Sequence, residues 1–404
     1  MAVILRLKCA SSAMLMQRSK GRLSDSPGSS PDLIGLDADR ETAQEETNSS
    51  RRLKPWAANL TALVLGTLLS FTVAEVFLRV FPNVGLTASE RRELTWRKSH
   101  RTSEDLMRRS VYSYDRYSPE VGWELKPDLR TPRLTSNSRG LRGSREYALT
   151  PAPGVTRILC LGDSFILGEN LPDDETLPVE LESILNRQGR WEVINLGEHG
   201  YGTDQQLLRL RQIGFQYSAK IIVLGFFEDD LGRNTMSFRD YAKPYFEISG
   251  DDLILHNTPV PSPSEILARP HLLPECSLRS LCAIEWLVQR IARVTPWVPL
   301  EYTAPGKVTL RILDTILQES RSHGMKFVLM TIPPQRFKPT PSKVESLLTN
   351  WAARTETPMV NLREAFLKLP KEDRARLYHG HWTAYGAALS AKILAQKITE
   401  LTVM

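Results

Sequence analysis

From residue 155 onward, apolar runs alternate with segments of helical period, and this rhythm constrains the fold more than any other feature. The apolar runs are "TRILCLGD", "WEVINLG", "AKIIVLGFF", "MKFVLMTIPP" and "PMVNLREA". Between and after them stand "ETLPVELESILNR", "TDQQLLRLRQIG", "GKVTLRILDTILQESRSHG", "PSKVESLLTNWAART" and "TAYGAALSAKILAQKIT". Leu177, Leu181, Ile184 and Leu185 share one face of the first helix, and Gly214 and Gly324 close the second and third. A strand without polar alternation must be covered on both faces. Such strands alternating with helices therefore predict an α/β domain with a central parallel sheet between two helical layers. Residues 231–305 interrupt the rhythm and read as an insertion, with one helix around "SLRSLCAIEWLVQRIARV".

The N-terminal third has another character. Residues 1–54 are expected to be a disordered tail. Its first part is basic and free of acidic residues, consistent with a surface amphipathic helix or with an over-extended start. The following Ser-, Pro- and acid-rich stretch cannot bury a core. From Pro55 to Ala74 there is no charged residue, a length that suffices to cross a bilayer. A buried globular helix would not stand alone beside such a tail, and a signal peptide has a far shorter polar leader. The span 55–81 is therefore expected to be a single transmembrane helix. Trp56, Phe77, Arg79 and Phe81 sit at its ends, and Glu75 and Arg79 are spaced as an i,i+4 pair. Basic residues flank both sides, so charge alone does not orient it. Residues 82–150 read as a connecting region of loops and short strands packing on the main domain, which runs over 151–404.

Composition excludes some classes. In 404 residues the net charge is only +6, spread along the chain. With no zinc spacing, Walker loop or helix-turn-helix pattern, nucleic acid is not an expected partner. Four cysteines do not make a disulfide scaffold. Cys160 reads as a buried thiol; Cys276 and Cys282 could close a small disulfide loop if exported, or stay free.

In an open parallel sheet, ligands bind at the carboxyl ends of the strands. Four polar clusters fall at that edge: Gly162-Asp163-Ser164, "NLGEHGYGTDQQ", "FFEDDLGRN" and "HGHWTAYG". A serine hydroxyl needs a base, and His381 is the best one available. The oxyanion formed on attack needs preorganised donors, for which the N–H groups of Ser164 and Gly200 are candidates. Asp163, directly before Ser164, and His199 read as structural, with Asp163 and His379 as possible supporting groups.

These clusters resemble the blocks of the SGNH hydrolase superfamily, the GDSL esterases and lipases, and more narrowly its membrane-anchored bacterial members. The resemblance spans roughly residues 60–400 and rests on "AEVFLRVF", "SRGLRGSREY", "RILCLGDSFILGENLPDDETLP", "VINLGEHGYGTDQQ", "VLGFFEDDLGRN" and "HWTAYG". It implies a flavodoxin-like three-layer fold, Ser164 as nucleophile, Gly200 as oxyanion donor, His381 as general base, and neither metal nor organic cofactor. The "HWT" block is similar to that of acetyltransferase-like relatives acting on polysaccharides. The implied partners are an ester-bearing small molecule, lipid or polysaccharide. The implied location is a single-pass membrane protein with its main domain outside the cytoplasm.

Two positions depart from the family pattern. Asp229 stands where the family has an oxyanion-donating Asn, and an ionised carboxylate cannot donate; losing one such donor costs about 10²–10³ in rate. No carboxylate lies two or three residues before His381, where His379 and Tyr378 stand. The chain is thus expected to be a serine esterase, acyl hydrolase or O-acyltransferase working through a Ser-His pair. The alternative is a weak or inactive SGNH-fold protein that binds glycan or scaffolds an envelope complex, with Trp286 and Trp297 of the insertion as contacts.

Overall fold

The computed structural model describes residues 55–81, 86–99, 114–269, 278–294 and 298–403. The tail and the first residues of the connecting region lie outside them, as do Trp297 and the side chain of Trp286. The chain divides into two units, Met1–Leu68 and Leu69–Met404. In the first, residues 55–68 are helical.

In the second unit five strands build one sheet: β1 Thr156–Gly162, β2 Trp191–Asn195, β3 Ile221–Phe227, β4 Lys326–Ile332 and β5 Met359–Asn361. Their order is β2-β1-β3-β4-β5, and every pairing is parallel. This is the flavodoxin-like order, with the strand order reversing beside β1. The register sets Gly162 of β1 opposite Gly225 of β3, and Thr331 of β4 opposite Asn361 of β5.

Alternate side chains of each strand feed two cores. Leu159, Leu161, Ile222 and Leu224 point to one face, where they meet Leu207, Leu210, Ile312, Ile316, Leu348 and Trp351. These belong to the helices Thr203–Gln212, Ala304–Ser322 and Lys343–Thr355. Ile158, Cys160, Val223 and Val328 point to the other, against Leu181, Leu185, Phe366, Ala391 and Leu394. Those come from Leu177–Leu185, Leu362–Leu367 and Ala384–Val403. Both faces are dry, which is why the strands carry no polar alternation. The expected three-layer architecture is thus present. Cys160 is fully buried, and burial pushes its thiol up.

The insertion contains more than the one expected helix. It has a hairpin, Tyr245–Ser249 with Asp252–His256, a short helix Pro263–Ala268 opened by a Ser262–Glu265 capping box, and the helix Arg279–Val294. Cys282 is disulfide-bonded. Upstream, a hairpin of Asp115–Ser118 and Gly122–Leu125 buries Val121, Trp123 and Leu125.

The apolar segment forms one helix, Pro55–Val80, and residues Trp56–Val80 are long and apolar enough to cross a membrane, at mean hydropathy 1.9. Glu75 and Arg79 form the i,i+4 pair at 2.7 Å, and the Phe77 ring packs at a tilt against Phe81.

Candidate active site

The carboxyl ends of β1, β2 and β3 meet at one edge, and the sequence after each strand explains how its polar group is held there. After β1 the chain turns at once into the short helix Ser164–Leu167. Asp163 caps it, its carboxylate accepting from the Phe165 N–H at 3.0 Å. The cap places Ser164 in the first helical position, where its N–H has no intrahelical acceptor. The other Asp163 oxygen accepts from Arg233 Nη1 at 2.8 Å. Asp163 is therefore a buried cap and ion-pair partner of the turn that carries Ser164.

After β2, the loop 196–202 approaches that turn closely. A Cβ at Gly197 would lie 2.3 Å from the Leu167 nitrogen, so only glycine fits. Gly200 is in the left-handed region at φ +71°, and a Cβ there would lie 2.6 Å from both Arg239 Nη1 and Asp240 Oδ2. The upstream hairpin braces this loop. Trp123 Nε1 donates to the His199 carbonyl at 2.9 Å, the Tyr201 hydroxyl donates to the Trp123 carbonyl, and the Leu125 N–H donates to Glu198 at 2.9 Å. Among the described residues, neither the Ser164 nor the Gly200 N–H is taken up by another group.

After β3 comes the helix turn Asp230–Arg233. Arg233 Nη1 reaches Asp163 Oδ2 and Asp230 Oδ1, both at 2.8 Å, and the Tyr201 carbonyl at 3.0 Å. One guanidinium thus ties together the residue before Ser164, the residue after Gly200 and the end of β3. Burial, and then the charge of Asp163, push Asp230 well above the usual carboxylate range; Arg233 opposes them. Asp229, by contrast, is 72% exposed, with its carboxylate 3.9 Å from Arg233 Nη2. Its side chain thus stands mostly in solvent, while that of the adjacent Asp230 is buried.

His381 arrives from the far end of the chain. Tyr378–His379 and His381–Trp382 form a minimal hairpin around Gly380, which has φ +78°. The Tyr378 hydroxyl donates to the Pro333 carbonyl at 2.8 Å, fixing the hairpin at the end of β4. Phe165 packs on His381, Trp382 and Tyr378. His381 Nε2 lies 2.8 Å from Ser164 Oγ across 217 residues of sequence. His379 is exposed and, among the described residues, makes no polar contact at the site.

One carboxylate near His381 carries no signal in the block pattern of the sequence. Glu169 Oε2 is 3.7 Å from the same Nε2, and among the described residues no other carboxylate lies within 4.0 Å of the ring. Glu169 follows Ser164 in "SFILGEN" and does not stand ahead of His381, so block order does not point to it. Arg233 and Asp230 did carry a signal, the i,i+3 spacing of a helix turn. Arg239 carried none. It comes from the insertion, pairs with Asp240 and stands over Gly200. Burial and the nearby Arg233 and Arg92 guanidiniums lower it to about 10.

Asp115, Glu198 and His199 offer ligand atoms within 4.8 Å of one another. His199 Nε2 lies 2.9 Å from Asp115 Oδ2 and Nδ1 lies 3.5 Å from Glu198 Oε1. Burial disfavours the imidazolium, but Asp115, with Glu198, outweighs it and lifts His199 to about 10. The group is a closed ion-pair cluster behind the Gly200 loop.

No family model and no curated protein sequence matches the chain. Among solved structures, it is similar to a psychrotrophic esterase from Pseudoalteromonas sp., with 14% identity and TM-score 0.36 over 62% of this chain and 100% of that one. It is also similar to the lipase/acylhydrolase from Enterococcus faecalis, with 14% identity and TM-score 0.36 over 61% and 96%. An acetyl xylan esterase has 11% identity and TM-score 0.38 over 60% and 99%.

Proposed function

We propose that this chain is a membrane-anchored serine esterase or acyl-ester hydrolase of the SGNH type. The observation that carries the reading is the 2.8 Å approach of Ser164 Oγ to His381 Nε2 at the carboxyl edge of a parallel sheet. In this reading Nε2 takes the hydroxyl proton as Oγ attacks the ester carbonyl. The carbonyl oxygen becomes an oxyanion facing the free N–H groups of Ser164 and Gly200. His381 then returns the proton to the leaving alcohol, and an acyl-Ser164 remains. His381 next takes a proton from water as the water oxygen attacks this ester, then gives it to Ser164 Oγ as the ester bond breaks and the acid is freed. A sugar hydroxyl in place of water would give O-acyl transfer through the same intermediate. Glu169 favours the transient imidazolium electrostatically.

The helix Trp56–Val80 would span the membrane, with residues 82–404 outside the cytoplasm. The disulfide at Cys282 supports that side, because disulfides persist in oxidising compartments. The substrate would be an ester of a small molecule, lipid or polysaccharide.

The second reading is a binding or scaffolding protein, favoured by the carboxylate of Asp229 where a donor is expected. Treating the full chain in detergent with a fluorophosphonate, and reading intact mass, separates the two. A single adduct absent from Ser164→Ala supports the esterase. No adduct on the folded protein supports the binding role.

A further inference from the structure

The insertion helix Arg279–Val294 carries an apolar face that nothing in the catalytic reading uses. Leu281, Ile284, Leu287 and Val288 are 47–58% exposed, values that a folded core would not leave on four consecutive turn positions. At 100° per residue they fall within an arc of about 120°, the width of an amphipathic stripe. Leu278, just before the helix, is exposed as well.

The start of this helix identifies what lies against that face. Its first two N–H groups, of Arg279 and Ser280, donate to the Glu75 carboxylate at 3.2 and 2.9 Å, and the Ser280 hydroxyl adds a contact at 2.9 Å. Arg279 Nη1 donates to the Leu78 carbonyl at 3.1 Å. An anion at a helix N-terminus satisfies orphan donors and the helix dipole together. Glu75 and Leu78 belong to the last turns of the helix Pro55–Val80, where Glu75 also pairs with Arg79. Such a charged cluster closing a long apolar helix belongs at the water–lipid boundary. The insertion helix therefore begins at that depth. Its sequence holds three arginines and one glutamate, the composition of a helix that lies on an anionic surface.

We propose that Arg279–Val294 lies along the lipid surface beside the anchor, with its Leu281, Ile284, Leu287 and Val288 face in the acyl boundary. The insertion then gives the domain a second hold on the bilayer, one that fixes its orientation. This inference rests on the reading of Pro55–Val80 as a membrane anchor.

The test uses the full chain in phosphatidylcholine–phosphatidylglycerol liposomes. A Val288→Cys or Ile284→Cys variant, each in a Cys9→Ser background, is labelled with an environment-sensitive nitrobenzoxadiazole dye. Cys160 is buried and Cys282 disulfide-bonded, and the unsubstituted background measures any labelling elsewhere. The expected result is blue-shifted emission, quenched by doxyl-bearing lipid and protected from aqueous iodide. Quenching by iodide alone would place the face in water and overturn the proposal. Protection from both quenchers would mean that protein, a second copy or a partner, covers it, and would overturn it equally. Alkaline carbonate extraction of the same liposomes tests the anchor separately. A chain that resists extraction but is quenched by iodide loses only the surface helix; a chain that is extracted loses the anchor and this inference with it.

Discussion

The two halves of the candidate catalytic pair are held very differently. Ser164 stands on a buried turn with a side-chain cap, a glycine loop pressed against it, and a guanidinium bridging three chain segments. His381 stands on a hairpin of two-residue strands, packed on Phe165, with Nε2 shared between Ser164 and Glu169. Ser164 is fixed by groups that are costly to unpair in a dry interior, whereas His381 is fixed mainly by ring packing. Damage on the Ser164 side should therefore appear as lost stability, and damage on the His381 side as lost reactivity in a protein that still folds.

The largest effect expected is that of His381→Ala, which should lower the rate of fluorophosphonate labelling by about 10⁴-fold or more while leaving the melting temperature nearly unchanged. A labelled, unslowed variant would remove His381 from the chemistry. Next is Arg233→Met. It leaves two buried carboxylates without their cation and should cost about 3–5 kcal/mol in chemical denaturation. A loss of reactivity without loss of stability would reverse the comparison.

The pH dependence sharpens the account of the loop behind Gly200. His199 is lifted to about 10, so its stabilisation is complete below the ordinary histidine range and is lost as pH rises through 10. Asp115, raised to about 6 chiefly by burial, is mostly ionised by pH 7 and adds little slope above it. Between pH 7 and 10 the native protein should therefore lose melting temperature more steeply than His199→Asn; parallel curves would mean that the ring is neutral in the folded state.

Smaller still is Glu169→Gln, at about 1 kcal/mol or roughly fivefold in labelling rate, because the pair is partly exposed. Asp229→Asn should change labelling least, within about threefold, since its carboxylate stands in water. A large gain would support the expected place of Asp229 in the oxyanion hole.

Local pattern alone determined much of this protein. The five strands, their helices and the uncharged span 55–74 were legible because burial on two faces, amphipathic period and an unbroken apolar run each leave a one-dimensional trace. Ser164 and His381 were legible because strand ends of a parallel sheet converge, so motifs far apart in the chain meet at one edge. Tertiary structure alone decided which acids matter. Asp229 and Asp230 are adjacent in sequence, yet one is exposed and the other buried against Asp163 and Arg233. Glu169 reached the histidine from the wrong block, and Trp123 came from the connecting region to brace the Gly200 loop. Chain order records which groups exist and what their segments bury. Pairing between charges depends on distance and desolvation, and both are set only when the segments pack.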